Sequence, residues 1–217
     1  PARGGSKRIK NKNIVELGGL PLISHTIIAA QSCLDIERIC LSTDDPAIVK
    51  IGQDYDIEVH ERPNELATDT SDAFSLICYY FELYKEIENI IYLQPTSPFR
   101  KVDSIASAIQ HFRNTECDVL VSVCTVPHAL NSSKQMEIMG NGLLVPVRDN
   151  PYRAQDTPVS YYRNGPAILI INRKILKKRS LYEGKVVPFL MGKIESLDID
   201  EPEDLNLARA LYMKKQE

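Results

Sequence analysis

A basic segment with two adjacent glycines, at positions 1–13, is the first place where residue types and spacing suggest chemistry. It has the sequence Pro-Ala-Arg-Gly-Gly-Ser-Lys-Arg-Ile-Lys-Asn-Lys-Asn. Gly4 and Gly5 let the backbone approach a ligand and adopt angles that a side chain forbids. Their bare N–H groups and the surrounding cations suit a phosphate chain. The segment predicts a phosphate-binding loop, and the alternative is a solvated basic terminus.

The cations of this segment repel one another, which costs stability unless an anion binds. They are Arg3, Lys7, Arg8, Lys10 and Lys12. Asn13 offers a donor and an acceptor for a base or ribose edge. The segment matches neither a P-loop nor a dinucleotide-binding fingerprint.

A pair of acids near the other end of the sequence, Asp198 and Asp200, suggests a metal site. In an extended segment, residues two apart point to the same side. Magnesium takes one or two carboxylates and completes its coordination with phosphate oxygens and water. Together with the basic loop, the pair predicts a magnesium–nucleoside triphosphate site. The alternative is a set of helix-capping acids before Pro202.

Other polar candidates lie in segments without regular periodicity. The stretch 94–98 is bounded by two prolines, so that it could present Gln94 rigidly, or could be only a tight turn. Arg62 and Arg153 could each hold a carboxylate or phosphate, or lie on the surface. Tyr162 could line a pocket, although packing is the default role of such a ring.

Strands and helices alternate over the first 126 residues, which predicts a mostly parallel sheet covered by helices on both faces. Ligands of such sheets bind beyond the carboxyl ends of the strands, where the glycine loop and the stretch 94–100 would meet. The predicted helices span 21–33, 46–55, 69–85 and 102–112, and the predicted strands span 38–42, 57–60, 89–93 and 118–126.

The alternation changes after Pro127. A β-hairpin is predicted around Gly140-Asn141-Gly142, and the stretch 149–164 is polar and irregular. Further strands are predicted at 167–171 and 186–190, and a last helix runs to Met213. We expect one domain over 1–217, with an antiparallel insertion at about 127–164 that lies at a dimer interface.

The amino-acid composition limits the classes of protein to which this chain could belong. The chain has 217 residues, a net charge of −3 and 43% hydrophobic residues, which fits a single globular domain. The mild acidity predicts neither nucleic-acid nor membrane binding, and no apolar run is long enough to span a bilayer. Five cysteines without a Cys-x-x-Cys pair indicate a reducing, cytoplasmic location.

The position of the glycine loop in the sequence leads to one further expectation about the sheet. A glycine-rich phosphate loop usually follows a strand. No strand precedes the loop in this sequence, which starts at Pro1. We therefore expect a short apolar strand upstream of Pro1, and a gap in the sheet at the place of that strand.

Taken together and in order, several short motifs resemble those of the acylneuraminate cytidylyltransferases, the CMP-sialic acid synthetase family. Each is weak alone, but the ordered set covers nearly the whole chain. One departure is Arg8-Ile-Lys-Asn11, where the family often has Gly-Ile-Pro-Arg. The matching motifs are Ala2–Lys7 with Lys12-Asn13, Ser42–Asp45, Arg62–Asp69, Leu93–Pro98, Arg153–Asp156, Asn164-Gly165 and Asp198–Asp200.

The resemblance implies a Rossmann-like α/β fold, a homodimer and a magnesium-dependent reaction. CTP would react with a nine-carbon 2-keto sugar acid of the sialic, legionaminic or pseudaminic type. The products would be the CMP-sugar and pyrophosphate. The reacting groups would be positioned and their charge neutralised without a covalent intermediate, because no histidine or cysteine lies in a matching motif.

Site residues follow from the resemblance by position. Nucleotide binding falls to Ala2, Arg3, Gly4, Gly5, Ser6, Lys12, Asn13, Arg62 and Ser71, with Asn13 and Arg62 at the cytosine and Ser71 near the ribose. Sugar binding falls to Gln94, Arg153, Gln155, Tyr162 and Asn164. Asp198 and Asp200 would bind magnesium, and Arg3, Lys12 and these two acids would be the catalytic residues.

Two other functions are consistent with many of the same sequence motifs. An enzyme for an eight-carbon keto sugar acid would have the same fold and use CTP, but would differ in its sugar pocket. A nucleotide-sensing module without turnover would need a broken metal pair or loop, and both are intact in this sequence. A dehydrogenase is disfavoured because the glycine fingerprint is absent.

Overall fold

Helices and strands lie close to the predicted positions in the computed structural model, which describes residues 1–68, 71–147, 159–165 and 167–214. The helices are α1 (Leu22–Gln31), α2 (Pro46–Asp54), α3 (Ala73–Leu83), α4 (Val102–Asn114) and α5 (Pro202–Met213). The strands are β1 (Glu16–Leu17), β2 (Leu20–Pro21), β3 (Cys40–Thr43), β4 (Glu58–Glu61), β5 (Asn89–Tyr92), β6 (Val119–Thr125), β7 (Met136–Ile138), β8 (Leu144–Pro146), β9 (Tyr161–Arg163), β10 (Leu169–Asn172) and β11 (Val186–Leu190).

Among the described helices, α2, α3 and α5 begin with acidic side chains that accept from backbone N–H groups lacking an intrahelical partner. Asp45 accepts from the Ala47 N–H at 2.8 Å and so starts α2, as its Asp-Pro sequence predicts. Asp72 accepts from the Ser75 N–H at 2.7 Å, which places the start of α3 a few residues later than expected. At α5, Asp204 accepts from the Glu201 N–H at 2.8 Å.

The main sheet has the strand order β11–β6–β10–β5, and β9 also pairs with β6. β6 and β11 are parallel, whereas β10 is antiparallel to both β5 and β6. Strands β5, β6 and β11 therefore point the same way, and β10 between them is reversed. The parallel pair β3–β4 stands apart from this sheet. The predicted Rossmann-like α/β class is confirmed.

The two faces of the main sheet are covered by different helices, because side chains alternate along a strand. Leu120 and Ile170 pack with α1 and α4 on one face. Val121 and Leu169 pack with α3 on the other face. The central strands are therefore buried on both sides, which explains their continuous apolar sequences.

The region after Pro127 contains the predicted hairpin, β7 paired with β8. Its turn uses Gly142 at a φ of +82°. The prediction of an irregular stretch up to residue 164 is wrong for Tyr161–Arg163, which form β9 because their backbone pairs with β6. Among the described residues, no helix combines the length and apolar character needed to cross a membrane.

Candidate active site

The basic loop at the start of the chain and the acids near its end line one cleft of about 580 Å³. Arg3, Ser6 and Lys12 contribute from the loop, and Asp198 and Asp200 from the segment before α5. The two groups, almost 200 positions apart in sequence, thus face a common space. A cleft with cations on one wall and carboxylates on another suits a metal-bound polyphosphate.

Backbone bonds hold the loop in place beside β3. The Ala2 N–H donates to the Ser42 carbonyl at 2.8 Å, and the Gly4 N–H donates to Asp44 Oδ1 at 2.8 Å. Asn13 is buried, and its Nδ2 donates to the Arg3 carbonyl at 2.8 Å. Asn13 therefore shapes the loop from inside, and its predicted contact with the base stays a prediction.

Lys12 connects the two walls of the cleft directly. Its Nζ lies 2.7 Å from Asp200 Oδ1, and its side chain is only 16% exposed. Arg8 approaches the same carboxylate, with a nitrogen 3.9 Å from Asp200 Oδ2. The positive charge of the loop is thus placed against the acidic segment.

Two backbone hydrogen bonds hold the segment that carries the two acids. The Ile199 N–H donates to the Thr96 carbonyl at 2.8 Å, and the Ile199 side chain is fully buried. The Asp200 N–H donates to Asp204 Oδ2 at 3.0 Å. Asp198 and Asp200 therefore project to the side opposite Ile199, as the two-residue spacing predicts.

Asp198 is suited to bind a cation. Its Oδ1 is buried and has no hydrogen-bond partner among the described residues. Burial raises the pKa of this carboxyl, the neighbouring Thr96 hydroxyl opposes that rise, and the negative charge of Asp200 adds to the rise. The described residues hold no cluster of three or more metal-ligating side chains. Magnesium needs only one or two carboxylates when phosphates and water supply the remaining oxygens, so the pair fits this ion.

Gln94 reaches the cleft from the end of β5 on a rigid loop. Its Oε1 accepts from the Thr96 hydroxyl at 3.4 Å, and its carbonyl accepts from Arg100 at 3.3 Å. Arg100 also donates to the Thr26 hydroxyl and to the Ala167 carbonyl. Burial lowers the pKa of Arg100 to about 9. This buried guanidinium ties α1, β5 and the start of β10 together behind the cleft.

Arg62 and Ser71 line the same cleft, on the side of β4 and α3. Arg62 is buried, and it donates to the hydroxyl and the carbonyl of Ser42, both at 3.1 Å. Burial lowers the pKa of its guanidinium. Ser71 donates to the Glu65 carbonyl at 3.0 Å. Both residues thus line the cleft that the basic loop also lines, and their contacts with a nucleotide stay predictions.

The predicted sugar-binding residues are not all brought to the cleft. Asn164 is 1% exposed, accepts from Ser122 at 2.6 Å and donates to Ser196 at 2.7 Å, so its side chain faces inward and direct contact with a sugar is not supported. Tyr162 lies on β9 opposite Cys124 and does not line the cleft. Arg153 and Gln155 lie outside the described residues.

Two cleft residues were not singled out from the sequence. Thr96 contacts both Gln94 and the acidic segment. Gly165 has a φ of +106°, and a Cβ there would lie 3.3 Å from Asp198 Oδ2 and 3.4 Å from Gln94 Oε1. Both belong to motifs quoted above, but their importance depends on contacts with residues that are distant in the sequence.

Comparison with known proteins gives consistent results. The family described as "Cytidylyltransferase" matches residues 1–217. The chain is 34% identical to the CMP-N,N'-diacetyllegionaminic acid synthase of Legionella pneumophila, over all of this chain and 96% of that protein. It is 32% identical to the N-acylneuraminate cytidylyltransferase of Escherichia coli, over 99% of this chain and 51% of that protein, so it spans about half the length of that relative.

A solved structure supports the fold. The structure of CMP:2-keto-3-deoxy-manno-octonic acid synthetase complexed with CTP superimposes with a TM-score of 0.75. The match covers 99% of this chain and 97% of that chain, at 18% sequence identity. At this level of identity, the similarity concerns the fold alone.

Proposed function

The chain belongs to the cytidylyltransferase family, and we propose from this premise that it transfers CMP from CTP to a nine-carbon 2-keto sugar acid, with release of pyrophosphate. The contact of 2.7 Å between Lys12 Nζ and Asp200 Oδ1 carries this proposal, because it joins the phosphate-binding and metal-binding halves of one site. The names of the two curated relatives, a legionaminic acid synthase and an acylneuraminate cytidylyltransferase, support the substrate class.

In the proposed complex the triphosphate lies along the basic loop, where the Gly4–Gly5 backbone, Ser6, Arg3 and Lys12 meet its oxygens. Lys12 is already paired with a carboxylate, so it exchanges one anionic partner for another when CTP enters. A lysine or arginine at a phosphate forms a charge-assisted hydrogen bond, which is stronger than a neutral one.

Different residues of the cleft are proposed to bind the base and the sugar acid. Asn13 and Arg62 recognise the cytosine, and Ser71 lies near the ribose. Gln94 holds the sugar acid, and Arg153 and Gln155 are further candidates from their sequence motif. Asn164 contributes through the backbone at Gly165, which it anchors, rather than by contact.

Asp198 and Asp200 would hold a divalent cation, and we propose Mg²⁺. Bound there, the ion would neutralise phosphate charge. The buried Oδ1 of Asp198 and the repulsion between the two acids support this assignment.

The reaction needs positioning more than covalent chemistry. The anomeric oxygen attacks the α-phosphorus, the bond from that phosphorus to the bridging oxygen breaks, and the hydroxyl proton leaves to water. Lys12 and Arg3 stabilise charge on the departing pyrophosphate. Gln94, on its rigid loop, orients the acceptor.

We also propose that the protein is a homodimer, with the β7–β8 hairpin at the interface. The hairpin carries exposed apolar side chains: Ile138 is 74% exposed, Leu143 is 62% exposed and Leu144 is 60% exposed. A patch of this kind is typical of a protein–protein interface.

The five cysteines form no disulfide, which supports a reducing, cytoplasmic location.

Release of pyrophosphate from CTP tests the proposed function. The assay uses sialic, legionaminic and pseudaminic acids and an eight-carbon keto sugar acid, each with Mg²⁺ and with a chelator. We expect metal-dependent turnover with at least one nine-carbon acid. Turnover with the eight-carbon acid alone would contradict the substrate class, and CTP binding without turnover would indicate a sensor.

A substitution at Gly165 tests whether the part of the cleft beside Asp198 and Gln94 is needed for catalysis. Gly165→Ala puts a Cβ against Asp198 and Gln94, so we expect kcat/KM to fall by about 10- to 100-fold. Gly19→Ala is the matched control, because its φ is also positive, at +82°, but its Cβ would have no atom within 4 Å. Both should lose about 1–3 kcal/mol in the free energy of unfolding from backbone strain. Equal activity of the two variants would remove Gly165 from the site.

A further inference from the structure

Thr96 contacts both the loop that carries Gln94 and the segment that carries the two acids. Its carbonyl accepts from the Ile199 N–H at 2.8 Å. Its hydroxyl donates to Gln94 Oε1 at 3.4 Å. Thr96 is 9% exposed and lines the cleft, so its side chain lies where the loop and the acidic segment meet. An uncharged hydroxyl at such a junction can act by positioning the groups around it.

The backbone of Gln94 is held by contacts that do not involve the Thr96 hydroxyl. The Gln94 carbonyl accepts from Arg100 at 3.3 Å and from the Thr26 hydroxyl at 3.4 Å. Arg100 is buried, so this anchor is shielded from water. The amide group lies at the end of a flexible side chain, however, and its last torsion angle has a broad distribution. Contacts of the amide itself must therefore decide which way its oxygen and its nitrogen face.

The two ends of the Gln94 amide have different partners in the cleft. Its oxygen can only accept and its nitrogen can only donate, so the Thr96 hydroxyl holds the oxygen end. Burial raises the pKa of the Tyr92 hydroxyl, and the charge of Arg62 and the Gln94 side chain both oppose the rise. An amide lowers the pKa of a phenol by donating to it, so the nitrogen end lies toward Tyr92. The second N–H of this nitrogen can then bind a ligand in the cleft.

We propose that Thr96 is a positioning residue for the acceptor, whose hydroxyl holds Gln94 Oε1 and so turns the amide N–H groups toward the oxygens of the sugar acid. The inference rests on the proposed function, in which Gln94 holds the acceptor. A carboxylate is an acceptor only, so it pairs with the nitrogen of an amide and is repelled by the oxygen. A rotated amide would therefore lose one hydrogen bond and place two acceptors against each other.

Asp198 is a second acceptor close to the Thr96 hydroxyl, since this hydroxyl opposes the rise in the pKa of Asp198. A Cβ at Gly165 would lie 3.3 Å from Asp198 Oδ2 and 3.4 Å from Gln94 Oε1, so both oxygens border the same small space. A hydroxyl has only one proton to donate. The experiment must therefore separate an effect on Gln94 from an effect on Asp198.

Two substitutions at Thr96 separate the hydroxyl from the packing of the side chain. Thr96→Val keeps the branched shape and removes the hydroxyl, whereas Thr96→Ser keeps the hydroxyl and removes the methyl group. We expect Thr96→Val to lower kcat/KM for the sugar acid by about 10- to 100-fold, with KM for CTP changed less than about threefold. Thr96→Ser should retain kcat/KM within about threefold. A larger loss in Thr96→Ser than in Thr96→Val would assign the effect to packing and overturn the proposal.

Ser97→Ala is the matched control in the same loop. The Ser97 hydroxyl is buried and has no hydrogen-bond partner among the described residues, so its removal breaks no observed contact. We expect kcat/KM for the sugar acid to change less than about threefold. A loss as large as that of Thr96→Val would mean that any change in the loop disturbs the cleft, and it would contradict a specific role of Thr96.

A double substitution identifies the group through which Thr96 acts. If the hydroxyl acts on Gln94, adding Thr96→Val to Gln94→Ala should lower kcat/KM by less than about threefold, because the group that it positions is already absent. If the hydroxyl acts on Asp198, the full loss should remain in the Gln94→Ala background. That second result would overturn the proposed action on the amide.

The mobility of the Gln94 side chain provides a readout that does not depend on turnover. Its NH₂ signals in NMR spectra are assigned by their absence in Gln94→Ala, and their relaxation gives an order parameter for the amide. We expect this order parameter to fall in Thr96→Val and to stay unchanged in Thr96→Ser and Ser97→Ala. No fall in Thr96→Val would overturn the proposal, even if the unmodified protein turns over a sugar acid. A fall in the order parameter, together with no turnover by the unmodified protein, would instead contradict the proposed function.

Discussion

Asp200→Ala is expected to reduce kcat for CMP transfer by about 10²- to 10³-fold, comparable to the removal of one group that stabilises charge in a transition state. The Asp200 side chain is 53% exposed and lies before the first turn of α5, so few packing contacts are lost. The helix cap survives, because Asp204 bonds to the backbone and not to the Asp200 side chain. The loss should therefore appear mainly in pyrophosphate release, and loss of the ion pair with Lys12 should lower the free energy of unfolding by no more than about 1 kcal/mol.

Glu203→Ala is the matched control for this variant. It removes one acid three positions away, and Glu203 is exposed and does not line the cleft. We expect its turnover to be near that of the unmodified protein. The metal dependence gives a second readout, since Asp200→Ala should need a higher Mg²⁺ concentration for half-maximal rate. Turnover near normal with an unchanged Mg²⁺ requirement would remove Asp200 from the metal site.

Lys12→Met is expected to reduce kcat/KM by about 100-fold or more, because a charge-assisted contact to phosphate in a partly desolvated cleft is lost. Lys12 is the loop cation that lies closest to the acidic segment, at 2.7 Å from Asp200. Methionine keeps most of the length of the side chain and removes only the charge and the donors. Steady-state kinetics with CTP as the varied substrate measures the effect.

Lys10→Met separates a local role of Lys12 from the general charge of the loop. Lys10 lies two positions away, is exposed and does not line the cleft. We expect this variant to change kcat/KM less than threefold, within the range of surface electrostatic effects. Equal losses at the two positions would mean that the loop attracts the nucleotide by net charge alone.

The features that the sequence determined by itself are those that depend on near neighbours in the chain. Adjacent glycines among cations predict the loop, because backbone freedom and charge are local properties. Alternating apolar segments predict the helices and strands, and Asp45 before Pro46 marks the start of α2. The two-residue spacing predicts that Asp198 and Asp200 share a side, and the buried Ile199 between them agrees with it.

Only the tertiary structure determined which of these elements and side chains contact one another. The hydrophobic pattern of the sequence does not predict that β10 is antiparallel to its neighbours, because a buried strand has the same composition in either direction. The motif of Asn164 predicts sugar binding, yet hydrogen bonds with Ser122 and Ser196 hold its amide inward. Lys12 and Asp200 lie 188 positions apart, and their contact exists only because the loop beside β3 and the segment before α5 end at one cleft. Such contacts depend on how the elements pack, and this is why they had to be read from the folded chain.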